Sequence, residues 1–388
     1  MEERIIECIR ANVQKNESDA TILEILRREY NLRISTRTLH RYKKSNGIKR
    51  VDRSLSVATV ARAIQGKKAV EGLHSGIRYV QLMLRQDGLM VSRQNVQDVC
   101  TLLGVGQGRW LRRVGVQRHL VYCPGPNYRW CMDGYDKLGQ FGIYIHGCVD
   151  GYSRRLLWLR AYSTNRQPSI VVTYYLKAVL EFGVVPAYTI SDFGNECNHI
   201  ATCQQHFHRN EVPASRHHRW TYAVLNVTIE AFWRRLRALS AQFWMNELNT
   251  LLQDGDYDGT EIDKACILAV YLPLIYTDLE RVITQHNSHT IRRQDAENVR
   301  PHGKPEDMYA MPDLYGGERR GLNVNDAEVR GAMRHLELTT LDLPNPVSTD
   351  LHVIIKNWML QNHVIVKTSN ARQIYGQLRN LLIDRINR

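Results

Sequence analysis

The sequence predicts an α/β layer fold preceded by an all-α basic arm. Three observations carry that expectation. The excess positive charge is confined to the first third of the chain. That third reads as two similar helical units. From residue 128 onward, short strand-like runs alternate with amphipathic helices, which is the texture of a layered sheet-and-helix domain.

The charge comes first because it is the most lopsided feature. The 388 residues carry 52 Lys+Arg and 39 Asp+Glu, a formal net charge of +13. Residues 1–120 hold 23 basic and 11 acidic residues (+12), which leaves 29 and 28 (+1) for residues 121–388. An arm so one-sided favours a polyanion, and nucleic acid is the expected partner.

Residues 1–50 form the first expected unit. In "TILEILRREYNLRISTRTLHRYKKSNGIKR", Ile22, Ile25, Leu26 and Tyr30 make an apolar stripe, and Ser35 is placed to cap a second helix. Leu39 and Tyr42 continue inward, while Arg37, His40, Arg41, Lys43 and Lys44 form a basic face. This is a helix-turn-helix pattern with a basic recognition helix. Residues 51–103 repeat it. Leu84, Arg85, Leu89, Val91, Ser92, Val96 and Val99 follow the order of Leu26, Arg27, Leu32, Ile34, Ser35, Leu39 and Tyr42. Arg93, Gln94 and Asn95 then open the second recognition helix. Residues 104–127 are expected to be a basic Gly/Pro linker whose Arg112 and Arg113 lie along phosphates.

In the next segment, 128–310, the elements follow from local pattern. "YRWCMDGY" is a strand ending near Asp133, "FGIYIHGCVD" alternates as a second, and "LLWLRAY" follows the "GYSRR" turn as a third. "PSIVVTYYLKAVLEFG" is a helix opened by Pro168 and closed by Gly183. "AYTISD" is a fourth, short strand. Helices are expected over roughly 196–208, 222–243 and 262–286. The twelve-residue apolar run at 265–276 contains Pro273 and is too short to span a bilayer, so it is expected to be a buried helix. Residues 311–388 are expected to be helical. "NARQIYGQLRNLLIDRI" is an amphipathic helix with Ile374, Leu378, Leu381 and Leu382 inward, read as a packing helix ahead of a self-association element.

Three acids stand out on that scaffold. Asp133 ends the first strand, Asp192 ends the fourth, and Glu230 lies on "LNVTIEAFWRRLRAL", where Asn226, Glu230 and Trp233 share a helical face. Asp150 begins a turn and is read as structural. Glu196 is expected to cap the following helix, and Gly194 to permit the turn.

These residues resemble the catalytic core of the retroviral-integrase and transposase superfamily. "WCMDGY" resembles the family's first-Asp strand, "VDGYSRR" its hairpin, "SDFGNE" its D-x-G-x-E turn, "NVTIEAFWRRLR" its glutamate helix and "QHNSHTIRRQDAENVRPHGKPEDMY" its tail. The helix-turn-helix arm and the "GPNYRW" entry resemble integrase-core proteins of eukaryotic genomes. The resemblance implies an RNase H-like core with a mixed sheet and flanking helices. It implies two Mg²⁺ (or Mn²⁺) ions held by Asp133, Asp192 and Glu230. It implies cleavage of DNA 3′ ends and transfer into a target duplex, hence double-stranded DNA as partner and a homo-oligomer assembled on it. A nuclear location follows if the chain is eukaryotic, a cytoplasmic one otherwise. The chemistry suits the residues, since magnesium prefers oxygen ligands and paired ions activate one oxygen and stabilise another.

This chain also departs from the family pattern. Cys197 follows Glu196 where Asn is expected, and "SRHHRWTYAVLNVTIE" replaces the usual Gly/Ser-bearing approach to the last acid. In that approach His217, His218, Arg219 and Trp220 are expected to grip phosphate or stack on a base. A non-catalytic DNA-binding protein derived from such an element is the alternative. The eight cysteines contain no C-x-x-C pair, which fits reduced thiols. "CNHIATCQQHFH" at 197–208 matches no common zinc spacing and is read as a helix with incidental thiols.

Overall fold

A computed structural model describes residues 2–52, 54–71, 77–103, 123–211, 214–221, 226–292 and 301–386. The expected linker positions 104–122, with Arg112 and Arg113, lie outside the described residues. So do 222–225 in the approach to Glu230 and 293–300 in the tail motif. The chain divides into two compact units, Met1–Arg118 and His119–Arg388.

The first unit is all helical. Helices α1 (Glu2–Gln14), α2 (Asp19–Tyr30) and α3 (Thr36–Ser45) enclose Ile5, Ile9, Val13, Ile22, Leu26 and Leu39. Ser35 accepts the Thr38 N–H at 3.2 Å and so starts α3, as the sequence predicts. Asn31 ends α2 in the left-handed region, where asparagine is tolerated. Helices α4 (Val57–Glu71), α5 (Ile77–Gln86) and α6 (Arg93–Leu102) repeat the plan around Val60, Ile64, Val80, Met83, Leu84, Val91, Val96 and Val99. Ser92 accepts the Asn95 N–H at 3.1 Å. Leu84, Val96 and Val99 thus take the inward places that the repeat assigned them.

The second unit is built on a five-stranded mixed sheet in the order β3-β2-β1-β5-β6. Strands β1 (Arg129–Tyr135), β2 (Tyr144–Asp150) and β3 (Leu156–Tyr162) are antiparallel neighbours. Their connection is set by Asp150, which is fully buried and accepts the backbone N–H groups of Asn127, Tyr152 and Ser153 at 2.8, 3.2 and 2.7 Å. Helix α7 (Pro168–Phe182) crosses the sheet and stops at Gly183, whose φ of 63° suits a residue without Cβ. The predicted fourth strand is β5 (Tyr188–Ser191); before it, on the far side of Pro186, which gives no N–H to a ladder, lies a separate two-residue strand β4 (Val184–Val185) that the sequence did not announce. β5 returns parallel to β1.

Helix α8 (Asn198–Phe207) leads to β6 (His218–Trp220), a parallel edge strand where the sequence predicts only a DNA-gripping loop. Helix α9 (Val227–Leu236) runs through a π-helical turn at Arg237–Ala241 into α10 (Gln242–Gln253). Helix α11 (Glu261–Ser288) starts at a Thr260–Asp263 capping box and contains Pro273. Asn287 pairs through its side-chain amide with both backbone groups of Leu156, at 2.8 and 3.0 Å, and so closes the start of β3.

The remaining chain packs on this core. After α12 (Pro305–Ala310), β7 (Leu322–Asn323) pairs antiparallel with β4. Helix α13 (Asp326–His335) adds Val329 and Ala332 to the cluster around Trp130 and Tyr175. Helices α14 (Thr349–Gln361) and α15 (Ala371–Ile386) complete the unit. α15 buries Ile374, Leu378 and Leu382 and lies against α11. It is tied there by Asp263, which accepts from the Arg379 Nε at 2.6 Å and the Tyr375 hydroxyl at 3.1 Å. Among the described residues, no helix is long and apolar enough to cross a membrane.

Candidate active site

The sheet explains why two of the acids meet. β1 and β5 are parallel neighbours, with Cys131 opposite Ile190. Two residues further along each strand stand Asp133 and Asp192. Neighbouring strands are about 4.8 Å apart and side chains alternate with period two, so both acids emerge on one face of adjacent strands.

Asp133 is half-buried on β1, opposite Gly147 of β2. Its Oδ1 accepts the Gly134 N–H at 2.8 Å, and its Oδ2 accepts the Trp233 indole N–H at 2.7 Å. Gly147 makes room for that indole, since a Cβ there would sit 2.9 Å from Trp233 Cη2. Burial pushes the Asp133 carboxyl up to about 7, and the charges of Asp192 and Glu230 push the same way against the donors Trp233 and Gly134. Asp192 is also raised by burial, offset by the nearby Asn226 amide. Its Oδ1 is buried without a hydrogen-bond partner.

Glu230 stands in the first turn of α9, which packs against β1 and β2. The face read from the sequence is divided. Asn226 lies just before the helix, buried, and donates to Met132 O at 2.9 Å. Trp233 is buried beside Asp133, whereas Glu230 is exposed and reaches Asp133 by its field. The helix begins one residue after Asn226, which changes the angular relation that a continuous helix would impose. Among the described residues, the one set of three His, Cys, Asp or Glu side chains whose ligand atoms all lie within 4.8 Å of one another is elsewhere, at His208, Glu211 and His217. The three acids are therefore spaced more widely than the ligands of a single ion.

Other expected site residues divide by burial. Arg37, Arg41, Lys44, Arg93 and Gln94 are exposed, and Asn95 is half-buried. His40 is exposed, but its Nε2 pairs with Asp19 at 2.6 Å. Lys43 is buried and pairs with Asp19 at 2.5 Å, which removes it from the basic face. Asp19 gathers Lys43, His40 and Arg50, and these hold its carboxyl well below the usual range against the opposing effect of burial. His218 is a second correction. It is buried because β6 is a strand, with Nδ1 2.8 Å from the Thr189 hydroxyl and Nε2 3.3 Å from that of Ser191. Burial pushes it down to about 4. Arg219 lies over the Tyr188 ring at 4.3 Å, and Trp220 stays exposed at the strand end.

Glu196 lies in the 3-10 turn Asn195–Cys197 that leads into α8, whose cap residue is Cys197. The Glu196 carboxylate folds back on Gly194, where a Cβ would meet Oε2 at 2.1 Å. Gly194 has φ −131°, an extended backbone that any residue adopts, and a side chain there would only need the flexible Glu196 carboxylate to swing aside, so the turn does not require glycine.

Three contributors escaped the sequence reading: Gly147, the indole of Trp233 as an Asp133 donor, and Phe193, which is 66% exposed next to Asp192. A glycine inside an otherwise alternating strand was the one local signal of a close approach.

The mixed sheet, the antiparallel β1–β3 meander, the parallel β5 and the flanking helices form an α/β core of RNase H-like type. No curated protein matches the chain. The family model described as integrase core domain matches residues 121–309. With the acids of β1, β5 and α9 in one electrostatic cluster, residues 121–309 are an integrase core domain of the retroviral-integrase and transposase superfamily.

Proposed function

We propose that the chain is a metal-dependent DNA recombinase of integrase or transposase type, cleaving DNA 3′ ends and joining them to a target duplex. The observation that carries this reading is the mutual field of the three acids. Asp133 is raised to about 7 by burial and by Asp192 and Glu230, a crowding of negative charge that divalent cations relieve. The orphan Asp192 Oδ1 and the all-oxygen donor set fit a hard cation such as Mg²⁺ or Mn²⁺. Asp133, Asp192 and Glu230 would hold two such ions. When bound, they supply activation of a water or 3′-hydroxyl oxygen and stabilisation of the leaving oxygen.

The chain's own residues have separate tasks. Trp233 and Gly134 each occupy one Asp133 oxygen, which fixes the carboxylate in one orientation. Asn226 ties the start of α9 to the backbone of β1, so Glu230 is carried at a set place beside the sheet. Phe193 and Trp220 are exposed aromatics at the ends of β5 and β6, suited to stack on unpaired bases at a processed DNA end. The helical arm supplies Arg37, Arg41, Lys44 and Arg93 to duplex phosphates or base edges.

Nicking and joining of a labelled duplex in Mg²⁺ or Mn²⁺ tests the reading. Asp133→Asn, Asp192→Asn and Glu230→Gln are each expected to reduce both steps to background while duplex binding is kept. Variants that react like the parent would place the chemistry elsewhere. An inert parent that still binds duplex would leave a non-catalytic binding protein.

A further inference from the structure

The end of α8 builds a second ligand set with different chemistry. His208 Nδ1 lies 2.8 Å from one oxygen of Glu211, and His217 Nε2 lies 3.2 Å from the other. The far nitrogen of each ring faces a backbone carbonyl. His208 Nε2 is 3.1 Å from Pro186 O, and His217 Nδ1 is 2.7 Å from Ala187 O. A carbonyl oxygen only accepts, so those far nitrogens carry the hydrogens. The nitrogens facing Glu211 are then bare lone pairs in the neutral rings. Two ring nitrogens and a carboxylate are thus aimed at one place.

The two imidazoles are stacked 3.8 Å apart at 3°, which opposes a positive charge on both. Two imidazolium ions so close would repel by about 4 kcal/mol at an effective dielectric of 20. A single cation shared by both rings avoids the repulsion. A backbone carbonyl that accepts the far N–H is also the usual outer partner of a metal-bound histidine. The two carbonyls belong to consecutive residues just before β5, and Tyr188 stacks on His217 at 5.6 Å, so the rings are held by the sheet itself.

We propose that His208, Glu211 and His217 form a transition-metal site that takes Zn²⁺ or a similar divalent ion, with water completing its coordination. All three ligand atoms lie within 4.8 Å of one another. Two imidazole nitrogens and one carboxylate suit such an ion, and the all-oxygen set of Asp133, Asp192 and Glu230 suits a harder one. Both in-plane lone pairs must reach one ion, so the stacked rings fan apart on binding, and exposed Glu211 follows. Such an ion would staple the end of α8 and the start of β6 to the entrance of β5. It lies at the end of β5 away from Asp192 and does not depend on the catalytic reading.

The test uses the full chain without a polyhistidine tag, stripped with chelator and titrated with Zn²⁺ or Co²⁺. The parent is expected to bind about one equivalent more than Glu211→Gln and His217→Ala, and to show visible Co²⁺ bands that both variants lack. Their Zn²⁺ affinity should fall tenfold or more, and the Zn²⁺-dependent rise in Tm should disappear. Glu211 is exposed, so its substitution tests the site without endangering the fold. Asp133→Asn should retain all of these signals. Equal binding by parent and Glu211→Gln would overturn the site, as would loss of binding in Asp133→Asn.

Discussion

At the scale of single residues, the acid on β1 shows what a spaced motif does not contain. Asp133, Asp192 and Glu230 stand out in the sequence because carboxylates at two strand ends and on a following helix are local features, although the shared face with Asn226 and Trp233 is not kept. The Trp233 indole that holds Asp133 is not legible there, because that bond joins residues 100 positions apart. Trp233→Phe separates its two roles. The ring remains beside Gly147 and Tyr135, and the N–H is lost. A donor to a carboxylate favours its ionised form, so removing it raises Asp133 further above about 7. Activity near pH 7 is expected to fall about tenfold, the cost of one lost hydrogen bond to a charged group, and to recover partly at pH 8.5. An unshifted pH–rate profile would assign Trp233 to packing alone.

At the scale of elements, the helices and the β1–β3 meander were legible because period 3.6 and period 2 are local properties. β6 was not. Its three residues carry no alternation, and it exists through pairing with β5, including His218 opposite Thr189. The same blindness to long-range partners affected α3, where Lys43 was read as part of the basic face. Lys43 is claimed by Asp19 at the start of α2, while Arg41 and Lys44 remain exposed. The two kinds of lysine should therefore separate by experiment. Arg41→Ala with Lys44→Ala is expected to weaken duplex binding about tenfold near 0.1 M salt and to lower the salt slope by about two, with Tm unchanged. Lys43→Ala leaves Asp19 with fewer partners and is expected to lower the stability of the arm by about 1–3 kcal/mol. If Lys43→Ala instead flattens the salt slope with Tm unchanged, Lys43 contacts phosphate after all.

At the scale of the whole molecule, the uneven charge is matched by an uneven distribution of buried histidine. The core unit holds His146, His218 and His286 inside. Burial pushes His146 down to about 3, His218 down to about 4 and His286 well below its ordinary value. His146 accepts the Trp158 indole N–H at 3.0 Å, a bond that only the neutral ring can take. In the unfolded chain each of these rings gains a proton near pH 6.5. Their contribution to stability is therefore full above about pH 6.5 and lost as the pH falls toward 4. Near pH 5 the unfolded core binds three more protons at these positions than the folded core. The folded core in turn keeps about one more proton on Asp133, raised to about 7, so stability falls by up to about 3 kcal/mol per pH unit, a large share of a typical domain's 5–15 kcal/mol. The helical arm has no such group among its described residues, and its Asp19 is ionised to far lower pH. Acidification of the full chain is thus expected to unfold it in two steps. Tryptophan fluorescence, dominated by Trp130, Trp158, Trp233 and Trp244 of the core, should change between about pH 5 and 4. Part of the helical circular dichroism should persist to lower pH. His146→Phe should flatten the first step by about one proton. Coincident loss of both signals below pH 3 would mean that these rings are not held neutral by the fold.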